Sequence, residues 1–224
     1  MVLLVLCFSI TKMNLPEDYN LGYKYFLGTK IDLSKRPFIP REETEYWVSL
    51  AIKEITEEAV CLDLFSGSGC IGITILKNIN GTCCDFGEKQ DLFLEQIKIN
   101  LELNKISDKR YSLIKTDIFS NINKKYDFIL ANPPYVALNR IDEVGEDVKE
   151  FEPHVALFSG SDGLEIIKEF LLKAKNFLKD RGIIYMEFDE EQLKEIEEII
   201  KINYSKYEFF KDQFNKYRFV RIEK

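Results

Sequence analysis

The sequence predicts an α/β fold built on a mostly parallel, seven-stranded sheet. Three observations carry that reading. Short apolar runs bounded by turn residues alternate with runs of helical spacing from residue 59 to residue 202. The first of these apolar runs ends in Gly67-Ser68-Gly69, which leads straight into a helical stretch. The last two strand-like runs lie close enough in sequence to pair antiparallel. The 224 residues suit one domain able to bury roughly 70% of its unfolded surface. Residues 1–40 are expected as a lead-in and 41–224 as the main domain.

The elements follow in order. Residues 2–10 form the longest apolar run, well short of the ~20 needed to span a bilayer. The run lacks the basic flank and small-residue cleavage site of a signal peptide. Residues 14–38, rich in Gly, Pro and Tyr, read as a short β-hairpin with strands in 21–28 and 29–33. Residues 41–58 read as a helix, with Trp47, Ala51 and Ile55 on one face and Pro40 just ahead of it. Strands are expected at 59–64, 82–88, 111–115, 126–131 and 182–188. Helices are expected at 70–77, 91–104, 162–178 and 190–202, and the closing strands at 207–210 and 217–222.

Composition narrows the chemistry. With 31 basic and 38 acidic side chains the net charge is −7, which counts against general nucleic-acid binding, because phosphate contacts demand a basic face. Five cysteines (Cys7, Cys61, Cys70, Cys83, Cys84) form no CxxC pair. Cys61, Cys83 and Cys84 lie in apolar runs and read as buried thiols of a reducing cytoplasm. A single histidine, His154, leaves metal and histidine-triad chemistry almost nothing to build on. No metal site is expected.

In parallel sheets the ligand crevice lies off the carboxyl ends of the strands. Asp63-Leu-Phe-Ser-Gly-Ser-Gly69 closes the first such strand; its glycines allow a ligand close to the backbone, or simply make a tight turn. An acid at the end of the next strand is placed to hold ribose hydroxyls. Asp85 and Glu88 both qualify, on opposite faces, and Glu88 is preferred as nearer the strand end. Asp117-Ile118-Phe119 follows the third strand, where the acid could meet an adenine amino group or cap a turn. Asn132-Pro133-Pro134-Tyr135 follows the fourth. The Asn132 side-chain oxygen and the Pro133 carbonyl are two fixed acceptors suited to a planar NH₂ group, and Tyr135 offers a face for its plane. Such a nitrogen is a poor nucleophile that gains from orientation and from stabilisation of its developing positive charge.

These motifs resemble the class I S-adenosylmethionine-dependent methyltransferases, whose fold is Rossmann-like. More narrowly, Phe38-Ile-Pro-Arg-Glu-Glu-Thr-Glu45, Phe151-Glu-Pro-His-Val-Ala-Leu157 and Gly160-Ser-Asp-Gly-Leu164 resemble signatures of the release-factor glutamine methyltransferases (the HemK/PrmC family). The resemblance implies that Asp63, Phe65, Gly67, Ser68, Gly69, Glu88, Asp117, Ile118 and Asn132 hold S-adenosylmethionine, with Arg41 and Thr44 closing over it. Asn132, Pro133 and Tyr135 would be catalytic. With Pro134, Glu152 and Pro153 they would hold the glutamine amide of a Gly-Gly-Gln segment. His154 reads as a bystander. Phe65 stands where the family turn usually has its first glycine, a departure shared with rRNA guanine methylases. The usual helical N-terminal domain of the family has no room ahead of the hairpin, so this is expected to be a short form.

The expected activity is methyl transfer to a release-factor glutamine, by a cytoplasmic monomer with no membrane partner and no nucleic-acid contact except through the ribosome. Methylation of an exocyclic amine in rRNA or DNA is the alternative enzyme reading. A non-catalytic cofactor-binding partner subunit is the third.

Overall fold

The computed structural model describes residues 15–224; the apolar run at 2–10 and Cys7 lie outside them. The chain opens with a short helix α1 (Glu17–Leu21) and the antiparallel pair β1 (Tyr23–Phe26) and β2 (Thr29–Asp32). Helix α2 (Glu42–Ile52) then leads to β3 (Val60–Leu64), α3 (Cys70–Asn78), β4 (Cys83–Glu88), α4 (Asp91–Leu103), β5 (Tyr111–Lys115) and β6 (Tyr126–Ala131). After α5 (Glu146–Phe151) come α6 (Glu165–Ala174), β7 (Leu178–Glu187), α7 (Leu193–Asn203), β8 (Lys206–Lys211) and β9 (Tyr217–Glu223). Seven strands make one sheet in the order β5-β4-β3-β6-β7-β9-β8. β3 to β7 run parallel, and β9 is antiparallel to both its neighbours.

The sheet is buried on both faces, which is why its central strands read as continuous apolar runs. Trp47 and Val48 of α2, Ile73 of α3 and Ile97 of α4 pack on one face with Phe26 and Ile31 of the hairpin. Ile167 and Phe170 of α6 and Ile196 and Ile200 of α7 pack on the other. Among the described residues no helix is long and apolar enough to cross a membrane.

Three amides one turn apart on α4 seat the hairpin. Gln96 Nε2 donates to the Asp32 carbonyl at 2.9 Å, Asn100 Oδ1 accepts the Asp32 N–H at 2.7 Å, and Asn104 Nδ2 donates to the Lys30 carbonyl at 2.8 Å. Asn100 also donates to the Ser68 carbonyl at 2.9 Å, so one buried side chain ties the hairpin to the glycine turn.

Boundaries differ where apolar spacing is ambiguous. The helix expected at 41–58 stops at Ile52, although Ile55 beyond it is still buried. The helix expected at 162–178 stops at Ala174; a 3₁₀ turn follows, and Leu178 already begins β7. Asp162 instead accepts the Leu164 N–H at 3.0 Å ahead of that helix. Helices α1 and α5 were not expected, being too short to show a periodic face.

Candidate active site

The crevice opens where β3, β4 and β6 end, at the point where the sheet order reverses. The first wall is the turn from β3 to α3. Phe65 adopts φ +62°, a left-handed conformation that costs a side-chain-bearing residue about 1–2 kcal/mol. The family's glycine takes this bend freely; here the turn keeps it, and the Phe65 ring packs 6.1 Å from that of Phe170. Gly67 (φ +54°) and Gly69 (φ +77°) are also left-handed. A Cβ on Gly67 would meet nothing nearer than 4.0 Å, whereas one on Gly69 would crowd Ile73 and Ile97. Gly67 therefore faces open space and Gly69 faces the core.

Asp63 is fully buried beneath the turn and does not line the crevice. Its Oδ2 accepts the Gly72 N–H at 2.9 Å near the start of α3, while Oδ1 has no partner. Burial pushes this carboxyl well above its ordinary value, and the Gly72 N–H opposes the shift. A raised folded value means that this group's contribution to stability is complete below the unfolded pKa of 3.8 and is lost as pH rises through the folded one. Asp63→Asn, which keeps an acceptor for Gly72, should therefore gain thermal stability relative to the parent as pH rises from 5 to 8. Parallel melting curves across that range would contradict a buried charge here.

Glu88, at the end of β4, is 7% exposed and lines the crevice. Its Oε1 accepts the Lys89 and Gln90 N–H groups, both at 2.8 Å, and Oε2 accepts that of Gly67 at 3.0 Å. Oε1 is filled, and Oε2 keeps one acceptor position. Asp85 is not the solvated charge expected of the rejected candidate. It is buried away from the crevice, ion-paired to Lys124 at 2.7 Å, and accepts the Tyr126 hydroxyl at 2.9 Å. Asp117 stands at the rim, paired with Lys89 at 2.7 Å. Both side chains are about 60% exposed, so the pair contributes at most about 1 kcal/mol. Ile118 beside it is buried and lines the crevice.

The opposite wall is Asn132-Pro133-Pro134-Tyr135, all four lining the crevice. Asn132 Nδ2 donates to Thr44 Oγ1 at 3.2 Å, Thr44 donates to Glu187 Oε2 at 2.6 Å, and the Tyr135 hydroxyl donates to Glu187 Oε1 at 3.1 Å. Glu187, 1% exposed, also accepts the Trp47 indole N–H at 2.8 Å. Burial pushes its carboxyl up, and those three donors with Arg218 pull the other way. Glu187 was not among the expected site residues. It is an acid at the end of a buried strand, the pattern that singled out Glu88.

The family segment 151–164 braces this wall. Val136 N–H donates to the Leu157 carbonyl at 2.8 Å and Ser159 N–H to that of Val136 at 3.0 Å. Glu152 and Pro153, expected beside the substrate, do not line the crevice. The Glu152 carboxylate is buried behind it, where it pairs with Arg41 and accepts the Ile39 N–H at 3.1 Å. Arg41 does line the crevice, with its guanidinium 4.5 Å from the centre of the Phe38 ring. His154 is exposed, its Nε2 2.8 Å from the Lys149 carbonyl.

The crevice has a volume of about 340 Å³, within the roughly 300–1,000 Å³ of small-molecule sites. The open face of Gly67, the remaining acceptor of Glu88 and the apolar Ile118 fit a nucleoside cofactor. Fold and crevice together define a class I S-adenosylmethionine-dependent methyltransferase. The methyltransferase small domain family model matches residues 48–148. A release factor glutamine methyltransferase of Streptococcus pneumoniae is 34% identical over 93% of this chain and 75% of its own length. The chain belongs to the release factor glutamine methyltransferase family. A ribosomal protein uL3 glutamine methyltransferase of Francisella tularensis is 32% identical over 79% of the chain and 57% of its own length. In fold, the 16S rRNA N2 G1207 methyltransferase of Thermus thermophilus matches with a TM-score of 0.65 at 14% identity, over 90% of this chain and 49% of that one.

Proposed function

We propose that this protein methylates the side-chain amide nitrogen of the glutamine in a Gly-Gly-Gln segment of a peptide chain release factor. The observation that carries the reading is the orientation of Asn132. Its NH₂ is committed to Thr44, which leaves Oδ1 as an acceptor at the crevice. No backbone N–H among the described residues donates to the Pro133 carbonyl, the second acceptor. Two fixed acceptors hold the two N–H groups of a primary amide, and the Tyr135 ring gives its plane a surface.

Bound S-adenosylmethionine supplies an electrophilic methyl group. Glu88 holds a ribose hydroxyl through the free position on Oε2, and Ile118 covers the base beside Asp117. Asn132 and Pro133 orient the amide and stabilise the positive charge that develops on nitrogen. The proton of the alkylated nitrogen is acidic, so no strong base is needed. Glu88→Ala should weaken cofactor binding roughly tenfold, the loss of about one charge-assisted hydrogen bond, with a smaller effect on kcat. Calorimetry with S-adenosylmethionine reads this, and unchanged affinity would remove Glu88 from the cofactor site.

The mouth of the crevice supports a protein substrate over nucleic acid. Val144, Val148 and Val155 line it, and outside them Asp142, Glu143, Glu146, Asp147 and Glu150 are exposed. That rim repels phosphate. Every site residue comes from one chain, which supports a monomer, and a ribosomal substrate points to the cytoplasm. The test is incubation with radiolabelled S-adenosylmethionine and, separately, a class 1 release factor, protein uL3 or rRNA. Label on the Gly-Gly-Gln glutamine is expected. A folded, cofactor-loaded protein that leaves the release factor unlabelled would refute the reading, and label on uL3 or rRNA would name the substrate class instead.

A further inference from the structure

Three donors converge on the buried Glu187 carboxylate, and the direction of each bond is decided by chemistry. An indole N–H can only donate and a carboxylate can only accept. Thr44 has a single hydroxyl proton, and at 2.6 Å it is given to Glu187 Oε2. The Thr44 oxygen then has only lone pairs for its other neighbour. Asn132, 3.2 Å away, must therefore present its NH₂ to Thr44 and keep Oδ1 free. An amide flip would set two acceptors against each other.

We infer that Glu187 is a positioning residue: through Thr44 it sets which end of the Asn132 amide faces the substrate, and through the Tyr135 hydroxyl it holds the ring beside that amide. The inference rests on the reading of Asn132 as the acceptor of the substrate's NH₂. A reversed Asn132 would point its own NH₂ at that of the substrate and lose the contact that orients the nucleophile. Glu187 touches neither substrate nor cofactor in this scheme. Its effect is transmitted by one hydroxyl proton. Arg218, which also lines the crevice, donates through Nε to Asp212 at 3.2 Å and leaves the Glu187 oxygens to Thr44, Trp47 and Tyr135.

Glu187→Gln and Thr44→Val test this, with Thr44→Ser as the conservative variant. An amide at 187 can donate to Thr44, which frees the Thr44 proton for Asn132 Oδ1. The expected result for Glu187→Gln and Thr44→Val is a kcat lower by on the order of 10²-fold, the scale of a misoriented reactant. S-adenosylmethionine affinity should stay within about threefold, because the lost contact is made in the transition state. Thr44→Ser keeps the hydroxyl and should recover kcat to within about fivefold of the parent. A second readout needs no substrate: in protein labelled with ¹⁵N-asparagine, the Asn132 side-chain NH₂ resonances should move in Glu187→Gln and Thr44→Val and stay in Thr44→Ser.

Unmoved resonances would overturn the inference even if the release factor proves not to be the substrate. So would a Glu187→Gln enzyme with parental kcat, or one that loses cofactor affinity and kcat in equal measure. Should Glu187→Gln fail to fold, Thr44→Val decides alone, since it removes one hydroxyl and no buried charge.

Discussion

Asn132→Ala should lower kcat on the release factor by on the order of 10²–10³-fold, the loss seen when a transition-state hydrogen bond is removed. The substitution takes away Oδ1, the acceptor that orients the substrate amide, and leaves Glu88 and the glycine turn in place. Cofactor affinity should change by less than about threefold, because the contact belongs to the reacting group. Asn132 is only partly buried and makes one side-chain bond, to Thr44. Losing it costs the fold about 1 kcal/mol, too little to explain the rate through unfolding. Single-turnover kinetics with saturating cofactor separate the two effects. Parental kcat in the variant would refute the amide mechanism, and a large loss of cofactor affinity would move Asn132 to the cofactor side.

The parts of this site that were legible in the sequence are those set by local chain geometry. A glycine turn, an acid at a strand end and a Pro-Pro pair are each local, and all three stand at the crevice. What escaped depends on distant partners. Glu152 meets Arg41 across 111 residues, so a residue expected to face the substrate instead closes the wall behind it. Asp85 finds Lys124 and Tyr126 on the far side of a strand crossover, a pairing with no local signal. Glu187 was within reach of the rule applied to Glu88, but its weight comes from Thr44, Trp47 and Tyr135, which lie 143, 140 and 52 residues away. The fold was more legible because burial on both faces writes itself into each strand as a run of apolar residues. Its errors fall at ends such as 174–178, where Ala, Phe and Leu satisfy helix and strand alike.

Gly163 turns a family motif into a mechanical part. Its φ is +76°, and a Cβ there would lie 2.2 Å from the Tyr135 carbonyl oxygen and 2.5 Å from Gln192 Nε2. Gln192 Nε2 also donates to that same carbonyl at 2.9 Å. The carbonyl cannot retreat without carrying the Asn132–Tyr135 loop with it. Gly163→Ala should thus cut kcat by about 10²-fold, the scale expected when reacting groups shift by about 1 Å. The left-handed backbone adds about 1–2 kcal/mol of strain, a fall in melting temperature of roughly 2–8 °C for a chain of this size. Gly160 separates these contributions. It too is left-handed, at φ +68°, but a Cβ there meets first the flexible end of the Glu165 side chain at 2.8 Å. Gly160→Ala should show comparable destabilisation with a kcat within about threefold of the parent, since no part of the reacting wall is displaced. Equal losses of kcat in the two variants would mean that strain alone, transmitted through stability, accounts for both. A loss confined to Gly163→Ala would show that close contact with the Tyr135 carbonyl is what keeps the amide-binding loop in register.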